Sequence, residues 1–143
     1  MRIGVLELQG DFEKHHQILQ TLGMDSVAVR GPSDLDELEG LIIPGGESTT
    51  ISLLIDRNKL RAPLKAFADV HPVLGTCAGL ILMARKVSDS RVNPLGILDV
   101  VVCRNAYGRQ IHSTTEKVKF FEEKNSFYSR ATMIRAPRIE STG

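Results

Sequence analysis

Gly75-Thr76-Cys77-Ala78-Gly79 sets a cysteine between small residues, directly after the apolar run Val73-Leu74. This is the thiol form, G-x-C-x-G, of a nucleophile elbow, in which a strand turns sharply into a helix and projects its side chain from the sheet edge. The flanking glycines let the backbone approach without Cβ clashes. A cysteine just ahead of a helix lies near free N–H groups and the positive end of the dipole, which favours thiolate. The Ala78 N–H is placed to donate to a developing oxyanion. The same pentapeptide also fits a plainer role, a small buried cysteine at a tight turn.

A second small-residue turn, Pro44-Gly45-Gly46-Glu47-Ser48, follows the apolar run 40–43. Gly45 and Gly46 can turn backbone N–H groups toward a ligand, as an oxyanion hole requires. Its plainer role is a strand-to-helix connection capped by Glu47 or Ser48. A thiol nucleophile needs a base, and the histidines are His15, His16, His71 and His112. His71 opens the strand that ends before Cys77. At about 3.3 Å per residue it belongs at the opposite sheet edge. His15 and His16 fall on a helix as surface or interface residues, and nothing in its spacing marks His112 as a base. Cys103 sits in the apolar run ILDVVVC and reads as a core residue. No His, Cys, Asp and Glu spacing fits a metal site. Neither glycine turn has the lysine of a P-loop or the spacing of a dinucleotide fingerprint.

The elements that must hold these turns alternate. Arg2–Leu8, Ser26–Arg30, Gly40–Ile43 and Val73–Gly75 read as strands. Asp11 caps a helix with Phe12, Ile18, Leu19 and Leu22 on its buried face, and helices follow over 48–55, 60–70 and 78–86. Further strands are expected at 95–102, 117–121 and 132–135, with RIESTG as a terminal loop. This order predicts an α/β fold with a doubly wound, mostly parallel sheet flanked by helices. Both glycine turns fall at strand carboxyl ends, where such sheets bind ligands, so they are expected to line one crevice. The 143 residues are enough for a single domain. A net charge of +1 gives no electrostatic case for nucleic acid or an anionic membrane. No apolar run reaches transmembrane length. Two cysteines outside any disulfide framework point to a cytoplasmic location.

Five blocks carry a resemblance: IGVLELQGD (3–11), LIIPGGESTT (41–50), GTCAGLIL (75–82), RNAYGRQ (104–110) and IRAPRI (134–139). In that order they resemble the class I glutamine amidotransferases, and more closely the glutaminase subunits of pyridoxal 5′-phosphate synthase. The resemblance implies hydrolysis of L-glutamine to glutamate and ammonia through a thioester on Cys77. It implies oxyanion contacts from the Gly46 and Ala78 backbone. Substrate contacts would come from Gly45, Gly46, Glu47, Arg104, Ile134 and Arg135, with Arg104 suited to pair with the substrate carboxylate. It also implies a partner, a synthase subunit that receives the ammonia for vitamin B6 biosynthesis, with Gln9 and Gly10 near that interface. No cofactor is expected, because pyridoxal phosphate would be the product, held by the partner.

The family takes its catalytic histidine and glutamate from a His-Pro-Glu motif, which these residues lack. The chain is therefore expected to be one amidotransferase domain, residues 1–143, without its C-terminal part, and inactive as it stands. The alternative is a non-catalytic binding or regulatory subunit of the same fold. Two local departures accompany this. Ile111–Glu116 stands where the family has Ser-Phe-Glu, and Glu13-Lys14-His15 replaces its Glu-His pairing.

Overall fold

The computed structural model describes residues 1–104, 114–121, 125–133 and 136–143. The glycine turns are held by a four-stranded parallel sheet, order β2-β1-β3-β4, built from β1 (Arg2–Leu6), β2 (Asp25–Val29), β3 (Gly40–Ile43) and β4 (Val73–Gly75). Helix α1 (Glu13–Thr21) links β1 to β2. Helices α2 (Ser48–Arg57) and α3 (Arg61–Ala68) link β3 to β4, and α4 (Ala78–Met83) follows β4. The doubly wound, mostly parallel architecture expected from the alternation is what the chain adopts.

Side-chain alternation along the strands gives the sheet two apolar faces. Ile3, Val5 and Ile42 pack with Leu19 of α1 and with Phe12 and Met24. Leu6, Leu41 and Ile43 pack on the other side with Ile51 and Ile55 of α2, Leu64 and Phe67 of α3, and Leu82 of α4. Burial on both faces explains why these strands read as unbroken apolar runs.

Beyond α4 the structure departs from expectation. Helix α4 stops at Met83, not Lys86, and Ala84 takes extended backbone. Residues Ala84–Val87 form β5, paired in parallel with β6 (Leu98–Cys103). The pairing supplies backbone hydrogen bonds that a further helical turn would have made. Strand β6 starts at Leu98 rather than Leu95 because residues 95–97 donate instead to the carbonyls of Leu82, Ala84 and Met83. The expected terminal loop contains β9 (Arg138–Thr142), antiparallel to β6. β7 (Thr114–Phe121) and β8 (Ser126–Met133) form a separate antiparallel hairpin, each longer than its apolar stretch suggested. Thr115, one of the two threonines that stand where the family has Phe-Glu, lies opposite Thr132, their hydroxyls 3.4 Å apart. Residues 111–113 of that departure lie outside the described residues.

Two further corrections concern α1. Its N-cap is Phe12, with no side-chain cap from Asp11. Ile18 and Leu22 are exposed, and only Leu19 is buried, because nine residues laid along one sheet face present a single narrow stripe to it. No described helix is long and apolar enough to cross a membrane.

Candidate active site

β3 and β4 are neighbours, with Ile43 opposite Gly75, so their carboxyl-terminal turns meet. The Thr76 N–H donates to the Ile43 carbonyl at 3.1 Å. A Cβ built on Gly45 would lie 3.4 Å from the Cys77 Cβ. The expected common crevice therefore exists. It is an open cleft of about 910 Å³, with Gln9, Gly46, Glu47, Cys77, Arg91 and Arg104 on its walls.

Cys77 is exposed and precedes α4 with φ 50° and ψ −103°. A positive φ is uncommon for a residue with a Cβ, and such strain costs on the order of 1–3 kcal/mol. The turn is held by close packing on its far side. A Cβ on Gly79 would meet the Ile43 carbonyl oxygen at 2.0 Å, so only glycine lets α4 start this close to β3. An exposed, strained cysteine departs from the plainer role of a buried turn residue. Cys103, expected in the core, is half-buried at the end of β6, its Sγ 3.7 Å from the Arg104 carbonyl.

The opposing turn is tied to the end of β1. The Asp11 N–H donates to the Gly45 carbonyl at 2.9 Å, and the Gln9 Oε1 accepts from the Glu47 N–H at 2.8 Å. Gly10, at φ 112°, has no room for a Cβ, which would sit 2.0 Å from the Gly45 oxygen. Gln9 and Gly10 thus brace the turn beside Cys77.

Glu47 caps α2. Its carboxylate accepts from the Thr49 and Thr50 N–H groups at 3.2 and 2.7 Å and from both threonine hydroxyls. Burial pushes this carboxyl up, but those four hydrogen bonds outweigh it and hold the group down at about 2. Glu47 is therefore ionised, and its Oε1 also accepts from Arg104 Nη2 at 2.9 Å. The other arm of Arg104, Nη1, reaches Asp89 Oδ2 at 2.6 Å. Asp89 is bound by Arg91 as well, at 3.0 Å through Nε and 2.6 Å through Nη2. The Arg91 side-chain and backbone hydrogen bonds hold the Asp89 carboxyl well below the usual range.

Of the residues singled out from the sequence, Cys77, Ala78, Gly45, Gly46, Glu47, Arg104, Gln9 and Gly10 come together here. Ile134 and Arg135 lie outside the described residues, as do His112 and residues 105–110. His15 and His16, expected as surface or interface residues, are partly buried. His15 Nε2 is 3.3 Å from the Thr76 hydroxyl, next to the nucleophile, and burial lowers its pKa. His16 lies 2.8 Å from Glu7 and 2.9 Å from Ser26, and His71 stacks on Phe67. Asp89 and Arg91 were missed. Each is an ordinary loop residue in sequence, and only the tertiary placement of the loop brings them to Arg104.

A profile of the SNO glutamine amidotransferase family matches residues 5–143. The "Pyridoxal 5'-phosphate synthase subunit PdxT" of Dehalococcoides mccartyi strain CBDB1 is 49% identical over 148 residues, covering 100% of this chain and 74% of the relative. The protein of the same name from Thermosipho africanus is 43% identical over 144 residues, covering 100% of this chain and 76% of its own length. A crystal structure described as glutamine amidotransferase superposes with a TM-score of 0.88 at 38% identity, over 99% of this chain and 75% of that one. PurLQS from Thermotoga maritima, at 14% identity and a TM-score of 0.66, shares the fold over 98% of this chain and 74% of that one. On the family profile and on relatives this similar, the chain belongs to the SNO glutamine amidotransferase family.

Proposed function

We infer that this chain is the glutaminase subunit of a pyridoxal 5′-phosphate synthase, hydrolysing L-glutamine and passing the ammonia to a synthase subunit. The observation that carries the reading is the exposed, positive-φ Cys77 facing the Gly45-Gly46 turn across one cleft with the Arg104–Glu47 pair. Glutamine is a zwitterion with a neutral amide at its far end. Arg104 suits its carboxylate and Glu47 its ammonium group. The amide carbon is then presented to Cys77, whose sulfur forms the thioester as ammonia leaves. Water next releases glutamate. The Gly46 and Ala78 N–H groups hold the oxyanion in both steps. Gly45, Ile134 and Arg135 complete the substrate contacts in this reading, and Gln9 and Gly10 the partner-facing edge. A cytoplasmic location fits a required free thiol.

A polypeptide of these 143 residues alone is expected to bind glutamine but to hydrolyse it only at background. Both steps need a proton acceptor, and the His-Pro-Glu motif that supplies it in the family does not occur in these residues. A non-catalytic subunit of the same fold is the weaker reading, because pure binding gives no reason for a strained, exposed cysteine.

The test is alkylation by the chloroketone analogue of L-glutamine, read by intact mass and peptide mapping. One adduct on Cys77, none on Cys103, and suppression by L-glutamine are expected. Equal labelling of both cysteines, unaffected by glutamine, would overturn the reading.

A further inference from the structure

Arg104 belongs to a row of alternating charges running out of the cleft: Glu47, Arg104, Asp89, Arg91. The inner members are well covered, with the Arg104 and Asp89 side chains 12% and 19% exposed, while Arg91 is 75% exposed at the mouth. The loop bearing Asp89 is anchored on both sides. The Ser88 N–H donates to the Val102 carbonyl at 3.0 Å, and the Ser88 hydroxyl accepts from the Arg104 N–H at 3.4 Å. Further on, Asn93 exchanges hydrogen bonds with the buried Ser52 of α2, and Arg61 donates to the Asn93 carbonyl at 2.8 Å. Asp89 is thus fixed relative to β6, which Arg104 directly follows, and to α2, which Glu47 caps.

Charge decides what this row does. Arg104 between Glu47 and Asp89 alone would be over-neutralised, and a substrate carboxylate would meet net negative charge. Arg91, bound to Asp89 by two side-chain hydrogen bonds, restores the balance. Arg91, Asp89 and Arg104 together carry one net positive charge, beside the negative charge of Glu47. That pattern is the complement of an α-amino acid zwitterion. We propose that Asp89 is a positioning residue that aims the Arg104 guanidinium at the substrate carboxylate, and that Arg91 keeps this pair cationic enough to select substrates bearing that carboxylate. The proposal rests on the glutaminase reading and adds two residues to its specificity.

The experiment compares two electrophiles on Cys77 of the 143-residue protein: the glutamine chloroketone, a zwitterion, and iodoacetamide, which is neutral. The ratio of their rate constants reports recognition of the amino-acid end separately from reactivity of the thiol. Asp89→Asn keeps the size of the side chain and its acceptor for the Arg91 N–H. Although it leaves the row one charge more positive, it is expected to lower the ratio about tenfold or more, because Arg104 loses the charge-assisted hydrogen bond that aims it. Asp89→Glu should recover part of the loss. Arg91→Ala, at an exposed position that does not threaten the fold, should lower the ratio about threefold to tenfold, the scale of a partly screened charge. In all three variants, protection by L-glutamine should weaken relative to protection by its decarboxylated analogue, 4-aminobutanamide. A ratio unchanged in Asp89→Asn and Arg91→Ala, or rate constants for both electrophiles that fall together, would overturn the proposal. If the wild-type protein itself shows no preference for the chloroketone and no glutamine protection, the glutaminase reading fails first and the proposal falls with it.

Discussion

β3 is buried at every position, whereas β8 opens with five consecutive exposed residues. β3 is a central strand of a parallel sheet with helices on both faces, and its side chains can be nothing but apolar. β8 belongs to a two-stranded hairpin stabilised by cross-strand pairs. Phe120 stacks on Phe127 at 5.0 Å, and the Lys117 ammonium lies 4.4 Å from the Tyr128 ring centre. The chemistry follows the same division. Cys77 and the Gly45-Gly46 turn hang from the buried sheet, whereas Arg104, just past the end of β6, and its partners Asp89 and Arg91 come from the outer half. The strained elbow sits where the surrounding packing can hold it. The peripheral half contributes a side chain that can be aimed by its neighbours.

Substitutions can break or sharpen this contrast. The largest effect is expected at the site itself. Cys77→Ala should abolish adduct formation with the glutamine chloroketone completely, while Cys103→Ala should leave it intact, as mass spectrometry will show. Next comes the core beneath the elbow. Leu82 is fully buried, so Leu82→Ala should destabilise the protein by about 2–5 kcal/mol in urea unfolding. Phe121 is 78% exposed on the hairpin, and Phe121→Ala should stay within about 0.5 kcal/mol. Equal losses at the two positions would break the comparison.

A smaller effect is expected at Glu47. Glu47→Ala removes a helix cap and should cost about 0.5–2 kcal/mol by thermal melting. The carboxyl titrates near 2 in the folded chain against 4.5 as its ordinary value. The unfolded state therefore binds more protons between these values, and stability falls as pH drops through that window. The Glu47→Gln variant should show a shallower acid limb in melts between pH 5 and about 2. The smallest change belongs to the hairpin. Phe120→Ala should lose about 0.2–1 kcal/mol of cross-strand pairing, with amide exchange quickened in β7 and β8 and unchanged in β3.

The sequence was most legible where function needs backbone geometry. Tight strand-to-helix turns demand small residues at fixed offsets, so GTCAG and PGGES announced themselves, as did the apolar runs of β1, β3 and β4. The outer half was harder. The run LILMARKV after Gly79 has the apolar density of a helix, and only pairing with β6 turns Ala84–Val87 into a strand. β9 carries Arg138, Glu140 and Thr142 with every position exposed, so no alternation marked it. Glu47 reads either as a cap or as a substrate ligand, and it caps α2 while lining the cleft. Asp89 and Arg91 left no local signal, since their meaning comes from a loop fixed by Ser52, Arg61 and Val102. His15 and His16 read as surface or interface residues, because helix periodicity does not reveal the side chains of Thr76, Glu7 and Ser26 that meet them.

The most direct test is a crystal structure of the Cys77→Ala variant with L-glutamine bound. The account places the glutamine amide carbon over residue 77, about 3–3.5 Å from where the Cys77 sulfur would reach in the wild-type protein. Its amide oxygen should point at the Gly46 and Ala78 N–H groups, its carboxylate at Arg104 and its ammonium group at Glu47. Glutamine bound with its side chain directed away from residue 77, or bound outside the cleft, would contradict it.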